Sequence, residues 1–329
     1  MRKDGKKILG PVIKNCKTVS IVTHTNPDGD AMGSSLALYQ VLKKMGKNVR
    51  VIIPNEYPAF LDWMPFSKSA LNFKSEPDKV KKHILKSDLL FVLDFNAFKR
   101  IEALGEFLAT TRMPKVIVDH HREPERFARY SYYDVKACST CELVYDLVVE
   151  LGQKKLIDKK IASCLYTGLM TDTGSFRFPS VSQKTHQILA ALLSTGIKPS
   201  DIHSAVYDTY SRDRMKLLGY ALNTMEVLPD NKTAYMALTE GTLKKFNYTK
   251  GDTEGLVNYP FSIDGIVLCA LFVEWEGIVK ISFRSKGKID VNTFARTHFN
   301  GGGHLNAAGG KSNDSLEATV NKFVQLMSK

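Results

Sequence analysis

Cysteine is scarce in this chain and poorly arranged for crosslinks. Five cysteines among 329 residues are an odd number with no secretory feature beside them, so reduced thiols are expected. Cys138 and Cys141 form a C-x-x-C, yet the second pair that a zinc ribbon needs is missing. A predicted helix opens at this tetrad, where thiols become more acidic, but incidental placement explains the pair without redox chemistry. Long apolar runs are missing too, so no bilayer-spanning segment is expected. Residues 1–10 carry charge and no apolar stretch, which argues against a signal peptide and for a soluble, cytoplasmic protein. Low-complexity tracts, internal repeats and long blocks of one charge do not occur, which sets aside disordered tails and solenoids. Aromatic-rich RNA-reading motifs are also lacking, which weighs against a non-catalytic nucleic-acid-binding module.

What the sequence does contain points to two domains. With 43% hydrophobic residues it has enough apolar material for two sizeable cores. Lys and Arg number 46 against 34 Asp and Glu, a formal charge of +12 that favours anionic partners such as nucleotides. Apolar runs at 19–24, 49–54, 88–95 and 115–121 predict strands. Helical spacing between them ends at Gly46 and recurs over 79–86 and 97–108. Strands and helices in alternation, with continuously apolar strands, predict a mostly parallel sheet covered on both faces. Beyond Thr140 helices dominate, over 141–151, 159–170 and 185–193. Residues 196–214 are expected to link this first domain, 1–195, to a second, smaller one, 215–329. There, strands are predicted at 233–238, 265–274 and 277–284, before a glycine loop and a helix at 315–327. The fold class is α/β in both domains.

One cluster stands out. His24, Asp28 and Asp30 fall between a predicted strand and a predicted helix, where open α/β sheets place ligands. Alone, Asn26-Pro27-Asp28-Gly29 is good turn chemistry, and Asp30 could cap the helix. Partners elsewhere change the balance. Asp94 ends one strand, Asp119-His120-His121 ends another, and Asp172 closes a predicted helix. In a parallel sheet these ends share one edge, so the groups can converge. Carboxylates and imidazoles without a convincing cysteine ligand suit Mn²⁺ or Mg²⁺ better than a soft metal. The ligands are too many for one ion, so two are expected, with Asp94 as the natural bridge.

In the second half, Gly301-Gly302-Gly303 can let backbone N–H groups approach an anion, with His304 beside them as a further donor. Arg284 can pair with phosphate through two donors, and Ser285 adjoins it. Arg100, just after Asp94, could reach a substrate phosphate or sit in solvent. The apolar stretch 59–66 reads as peripheral core rather than a lid.

Together, His24-x3-Asp28-x-Asp30, Asp94, Asp119-His120-His121 and Asp172-Thr173-Gly174 resemble, in order, the four motifs of the DHH phosphoesterase superfamily. "SFRS" at 282–285 and "NGGGHLNAAG" at 300–309 resemble its DHHA1 domain. Within the superfamily the chain looks most like the two-domain bacterial oligoribonuclease and pAp-phosphatase enzymes. The resemblance implies an active site in the cleft between the domains. It implies one ion held by His24, Asp28 and Asp94, and a second held by Asp30, Asp94, His120 and Asp172. His121 would face the scissile phosphate, and Asp119 would orient the neighbouring imidazoles. It further implies Mn²⁺ dependence, a homodimer, and short RNA oligonucleotides and a nucleoside bisphosphate as substrates. Soluble enzymes that open linear or cyclic dinucleotides share this layout and remain the nearest alternative.

Overall fold

The computed structural model describes residues 5–229 and 232–328; the first four residues of the 1–10 stretch lie outside them. The chain divides into two compact units, Met1–Thr209 and Tyr210–Lys329.

The first unit is built on six strands: β1 (Thr18–Val22), β2 (Asn48–Ile53), β3 (Leu71–Asn72), β4 (Leu89–Leu93), β5 (Lys115–Asp119) and β6 (Tyr130–Tyr133). Their order is β3-β2-β1-β4-β5-β6, and every pairing is parallel. The four apolar runs of the sequence are β1, β2, β4 and β5. The edge strands carry no such run, since β3 has two residues and β6 reads Tyr-Ser-Tyr-Tyr. Side chains alternate between two cores. Val19, Ile21, Phe91 and Val118 join one, against α1 (Gly10–Asn15), α2 (Gly29–Lys44), α5 (Thr140–Glu150), α6 (Lys159–Asp172), α7 (Gln183–Leu193) and α8 (Pro199–Tyr207). Val22, Leu90, Val92 and Ile117 join the other, against α3 (Pro77–Leu85) and α4 (Glu102–Ala109). A sheet buried on both faces has its polar outlet at its edges and ends. From β1 and β4 the chain winds outward in opposite directions, so the loops after these neighbouring strands part and leave a crevice at their carboxyl ends.

Two departures from the expected elements bear on the site. The helix expected over 97–108 is a 3₁₀ turn, Phe98–Ile101, followed by α4, with Glu102 at φ +48° between them. Within the stretch expected to link the halves, α8 buries Ile202 and Val206 in the first unit's core. In the 59–66 stretch Leu61 and Met64 are core residues.

Helices α2 and α6 run against each other unusually closely. A Cβ on Gly33 would sit 2.5 Å from the Cys164 carbonyl oxygen. One on Gly168 would sit 2.2 Å from Cys141 Sγ and 2.7 Å from Asp30 Oδ1. Only glycine permits this approach, which sets the start of α2 beside the end of α6.

The second unit contains α9 (Arg212–Asn223), β7 (Glu226–Val227), β8 (Thr233–Leu238), α10 (Glu240–Lys245), β9 (Leu268–Trp275), β10 (Ile278–Ser285), α11 (Val291–His298), β11 (Gly302–Gly303), β12 (Ala307–Ser312) and α12 (Leu316–Met327). Its sheet order is β11-β12-β10-β9-β8-β7, antiparallel except for the parallel pair β8–β9. Along β10, buried residues alternate with more exposed ones. Among the described residues no helix is long and apolar enough to cross a membrane.

Candidate metal centre

The crevice after β1 and β4 is where the charged groups meet. Asp28 caps α2, its Oδ1 accepting from the N–H groups of Asp30 and Ala31 at 3.0 Å each. The cap is therefore Asp28 rather than Asp30, whose side chain is free to turn inward from the first turn of α2. Asp94 follows β4 in the left-handed region, φ +65°, which costs a non-glycine residue about 1–2 kcal/mol and must be held by its surroundings. Asp119 ends β5, His120 and His121 follow it, and Asp172 is the last residue of α6.

Donor atoms of His24, Asp28 and Asp94 lie within 4.8 Å of one another, as do those of Asp30, His120 and Asp172, and those of Asp94, Asp119 and His121. The rings are oriented from outside. His24 Nδ1 lies 2.9 Å from the Thr25 carbonyl and His120 Nδ1 3.1 Å from the Ala137 carbonyl. A carbonyl only accepts, so each Nδ1 carries a proton, and each ring turns inward its Nε2, the nitrogen that serves a ligand once unprotonated. His24 Nε2 stands 3.4 Å from Asp94 Oδ2. His120 Nε2 stands 3.6 Å from Asp94 Oδ1, 3.5 Å from Asp172 Oδ2 and 3.9 Å from Asp30 Oδ2. These spacings exceed a normal N–H···O hydrogen bond. Spacings of this size are compatible with groups arranged around a shared centre. Asp94 turns one oxygen to each histidine, as a bridge between two such centres would. His121 Nδ1 is 2.7 Å from Asp119 Oδ1, and the Tyr133 hydroxyl donates to the His121 carbonyl.

The electrostatics show a shortage of positive charge. Burial, then the neighbouring Asp94 and Asp172, pushes the Asp30 carboxyl well above the usual range although two N–H groups donate to it. Burial raises Asp119 to about 6, and its Oδ2 is buried without a hydrogen-bond partner. Burial alone would lower His120, but Asp172, Asp94 and Asp30 raise it to about 9. Burial works against the Asp94 carboxylate too, yet His24, His121 and His120 win and hold it low. Buried carboxylates are tolerated when paired or when they coordinate metal. Oxygen and imidazole donors with unspent negative charge fit hard divalent cations.

Several contributors carry no obvious sequence signal. The N–H groups of Thr140 and Cys141, at the start of α5, donate to the two Asp30 oxygens at 2.6 and 2.9 Å. The Thr140 hydroxyl donates to Asp94 Oδ1 at 2.8 Å. The C-x-x-C tetrad thus serves the site through its backbone and its threonine. Burial pushes both the Cys138 and Cys141 thiols up, which removes the acidity a redox pair would need. A clue was legible: Ser139-x-x-Glu142 marks a helix start, and the Ser139 hydroxyl accepts from Glu142 N at 3.1 Å. Arg100 is half-buried in the 3₁₀ turn, its carbonyl accepting from Thr25 N at 3.1 Å. After burial, its charge is the next influence holding His121 well below its ordinary value.

In the second unit the glycine loop differs from expectation. Gly301 N donates to the Ala295 carbonyl, Gly303 N to Asn292 Oδ1 and His304 N to the Ala307 carbonyl. These groups are spent inside the fold, so they do not form an anion cradle. The glycines answer a packing need instead: a Cβ on Gly301 would sit 1.9 Å from the Gly309 carbonyl oxygen, and one on Gly303 2.4 Å from that of Ala307. Gly302 pairs with Gly309 in β11–β12. Ser285 is buried, donating to the Ile289 carbonyl and accepting from Asn306. Arg284 and His304 are half-buried, and Arg284 donates to the Phe283 carbonyl at 2.9 Å.

Two domain families match the chain, the DHH family N-terminal domain over residues 18–169 and the DHHA1 domain over residues 230–329. A probable bifunctional oligoribonuclease and PAP phosphatase NrnA from Streptococcus mutans is 30% identical over 305 residues, covering 91% of each chain. A bifunctional oligoribonuclease and PAP phosphatase NrnA from Bacillus subtilis is 28% identical, covering 89% of this chain and 88% of its own. The crystal structure of an exopolyphosphatase-related protein from Bacteroides fragilis is 42% identical, with a TM-score of 0.92, covering 96% of this chain and 93% of that one.

Proposed function

Since the chain belongs to the DHH phosphoesterase family, with a DHHA1 domain after the catalytic one, we propose that it is a two-ion, Mn²⁺-dependent hydrolase of very short RNA. It releases mononucleotides from oligoribonucleotides of roughly two to five residues, by the fit of a short anion to a site that positions it. It also removes the 3′-phosphate of 3′-phosphoadenosine 5′-phosphate. The observation that carries this reading is the convergence of three imidazoles and five carboxylates at the crevice after β1 and β4. The names of the relatives supply the substrates.

His24, Asp28 and Asp94 would hold one ion, and Asp30, Asp94, His120 and Asp172 the other. When bound, such a pair makes water a stronger nucleophile at neutral pH and neutralises charge on the phosphoryl oxygens. His121 is neutral, because burial and then Arg100 keep its pKa low, and its Nδ1 proton is held on Asp119. Its Nε2 can therefore take a proton from the attacking water, and Asp119 steadies the imidazolium formed. That ring can then return the proton to the leaving oxygen. Arg284 and His304 hold a phosphate of the substrate away from the reacting one, and Arg100 offers a further cation near the site.

The test is a hydrolysis panel with Mn²⁺ or Mg²⁺ over RNA dimers to pentamers, a 24-mer, 3′-phosphoadenosine 5′-phosphate, and linear and cyclic dinucleotides, with products resolved by length. Fast conversion of short RNA and the bisphosphate supports the proposal. Preference for a cyclic dinucleotide would replace it with the neighbouring phosphodiesterase reading.

A further inference from the structure

We infer that Thr140 is a positioning residue that fixes the distance between Asp30 and Asp94, and with it the alignment of the two halves of the ion site. This rests on the metal-centre reading above. Asp30 rides on α2, and Asp94 stands on a left-handed residue after β4; no sheet or helix hydrogen bond joins those two positions. Thr140 comes from a third element and touches both, its N–H on Asp30 Oδ2 at 2.6 Å and its hydroxyl on Asp94 Oδ1 at 2.8 Å. The residue is fully buried, so water does not replace either bond.

The geometry makes the hydroxyl matter. Two carboxylates brought together repel whenever both are ionised, and a donor placed on each offsets that repulsion while leaving their other lone pairs available. His24 faces Asp94 Oδ2, and on Oδ1 the Thr140 hydroxyl at 2.8 Å is closer than His120 Nε2 at 3.6 Å or His121 Nδ1 at 3.8 Å. Thr140 is itself anchored. Glu142, two residues along α5, is buried, accepts from Thr185 at 3.3 Å and pairs with Lys184 at 3.1 Å, both on α7. The start of α5 is thus pinned to a neighbouring helix, and it transmits that rigidity to both carboxylates.

Thr140→Val keeps the shape and the N–H and removes only the hydroxyl; Thr140→Ser keeps both donors. Chelator-treated wild type and variants are titrated with Mn²⁺ in a calorimeter, and the melting temperature of each metal-free protein is read in parallel. The expected result is a loss of about 10–100-fold in affinity for at least one ion in Thr140→Val, restored in Thr140→Ser. If Thr140→Val does not fold, Thr140→Ala carries the same expectation. A lowered melting temperature with unchanged Mn²⁺ affinity would mean that the hydroxyl only supports the fold, and would overturn the inference. Wild type that binds Mn²⁺ no more tightly than does Asp94→Asn would sink the metal-centre reading, and this inference with it. Tight wild-type binding matched by Thr140→Val overturns the Thr140 role alone.

Discussion

The two units each carry a six-stranded sheet, and they handle polar groups in opposite ways. In the first, parallel strands are buried on both faces, as in β4, where all five residues are buried. Charge finds its place where the strands stop, and the loops after β1, β4 and β5 deliver His24, Asp94, Asp119, His120 and His121 to one crevice. In the second, β10 alternates in burial, so half-exposed side chains such as Arg284 leave the sheet along its length. Glycine follows the same division. Gly168 brings two helices together over Asp30, whereas Gly301 and Gly303 let a hairpin close on itself. A parallel sheet gathers buried charge at one edge, which suits ion binding; a mixed sheet presents separate side chains, which suits gripping a substrate.

The largest effect that would test this division is at the proposed bridge. Asp94→Asn removes a charge shared by both ion positions, so kcat/KM should fall on the order of 10³-fold or more and both ions should bind more weakly. Near-normal turnover at saturating Mn²⁺ would take Asp94 out of that role. Next comes the second unit. Arg284→Ala and His304→Ala should each lose about 2–4 kcal/mol of transition-state stabilisation, measured as kcat/KM on an RNA dimer, with metal content unchanged. Loss of metal in either variant would erase the distinction between the units.

A smaller effect is expected from glycine. Gly168→Ala drives a methyl group into Cys141 and Asp30 and should cost about 1–3 kcal/mol of stability, with weaker Mn²⁺ binding. Gly301→Ala should lower the melting temperature as well, because its Cβ meets the Gly309 carbonyl, yet leave Mn²⁺ binding intact. Calorimetry separates the two. The smallest effect is one of pH. His120, raised to about 9 in the metal-free chain, is protonated at neutral pH, and an ion needs it neutral. Its pairing with the carboxylates stabilises the metal-free fold fully below its unfolded value, near 6.5, and that contribution is lost as pH rises through about 9. The rise in melting temperature on adding Mn²⁺ should therefore grow from pH 6 to pH 9. A rise that stays flat or shrinks over that range would contradict the assignment.

Much of the first unit was legible because its strands are unbroken apolar runs that end on ligand-type residues. Asp94 and Asp119 could be placed by reading to the last aliphatic residue of each run. The cap on α2 was not legible: Asp28 and Asp30 both suit the position, and the extended backbone of Asp28 decides it. Thr140 escaped because its work is done partly by a backbone N–H, which every residue but proline has. The glycine loop misled for the reason reversed, since glycine frees the N–H to approach a ligand and equally to approach another strand. The glycine-rich strand β12 shows the second outcome.

The close pairing of α2 with α6 also has a consequence for how the chain assembles. The candidate centre draws on residues from His24 to Asp172, carried by β1, α2, β4, β5, α5 and α6. Contacts so distant in sequence form late, after the intervening loops have been closed at an entropic cost. On a ribosome, Asp30 and Asp94 emerge well before the helix that ends in Asp172. Until α6 docks across Gly33, Asp30 and His120 lack Asp172, the third member of their group. Capture of the proposed second ion, which draws on Asp172, would then come late in biogenesis, a mark that the first unit is finished rather than a nucleus around which it grows.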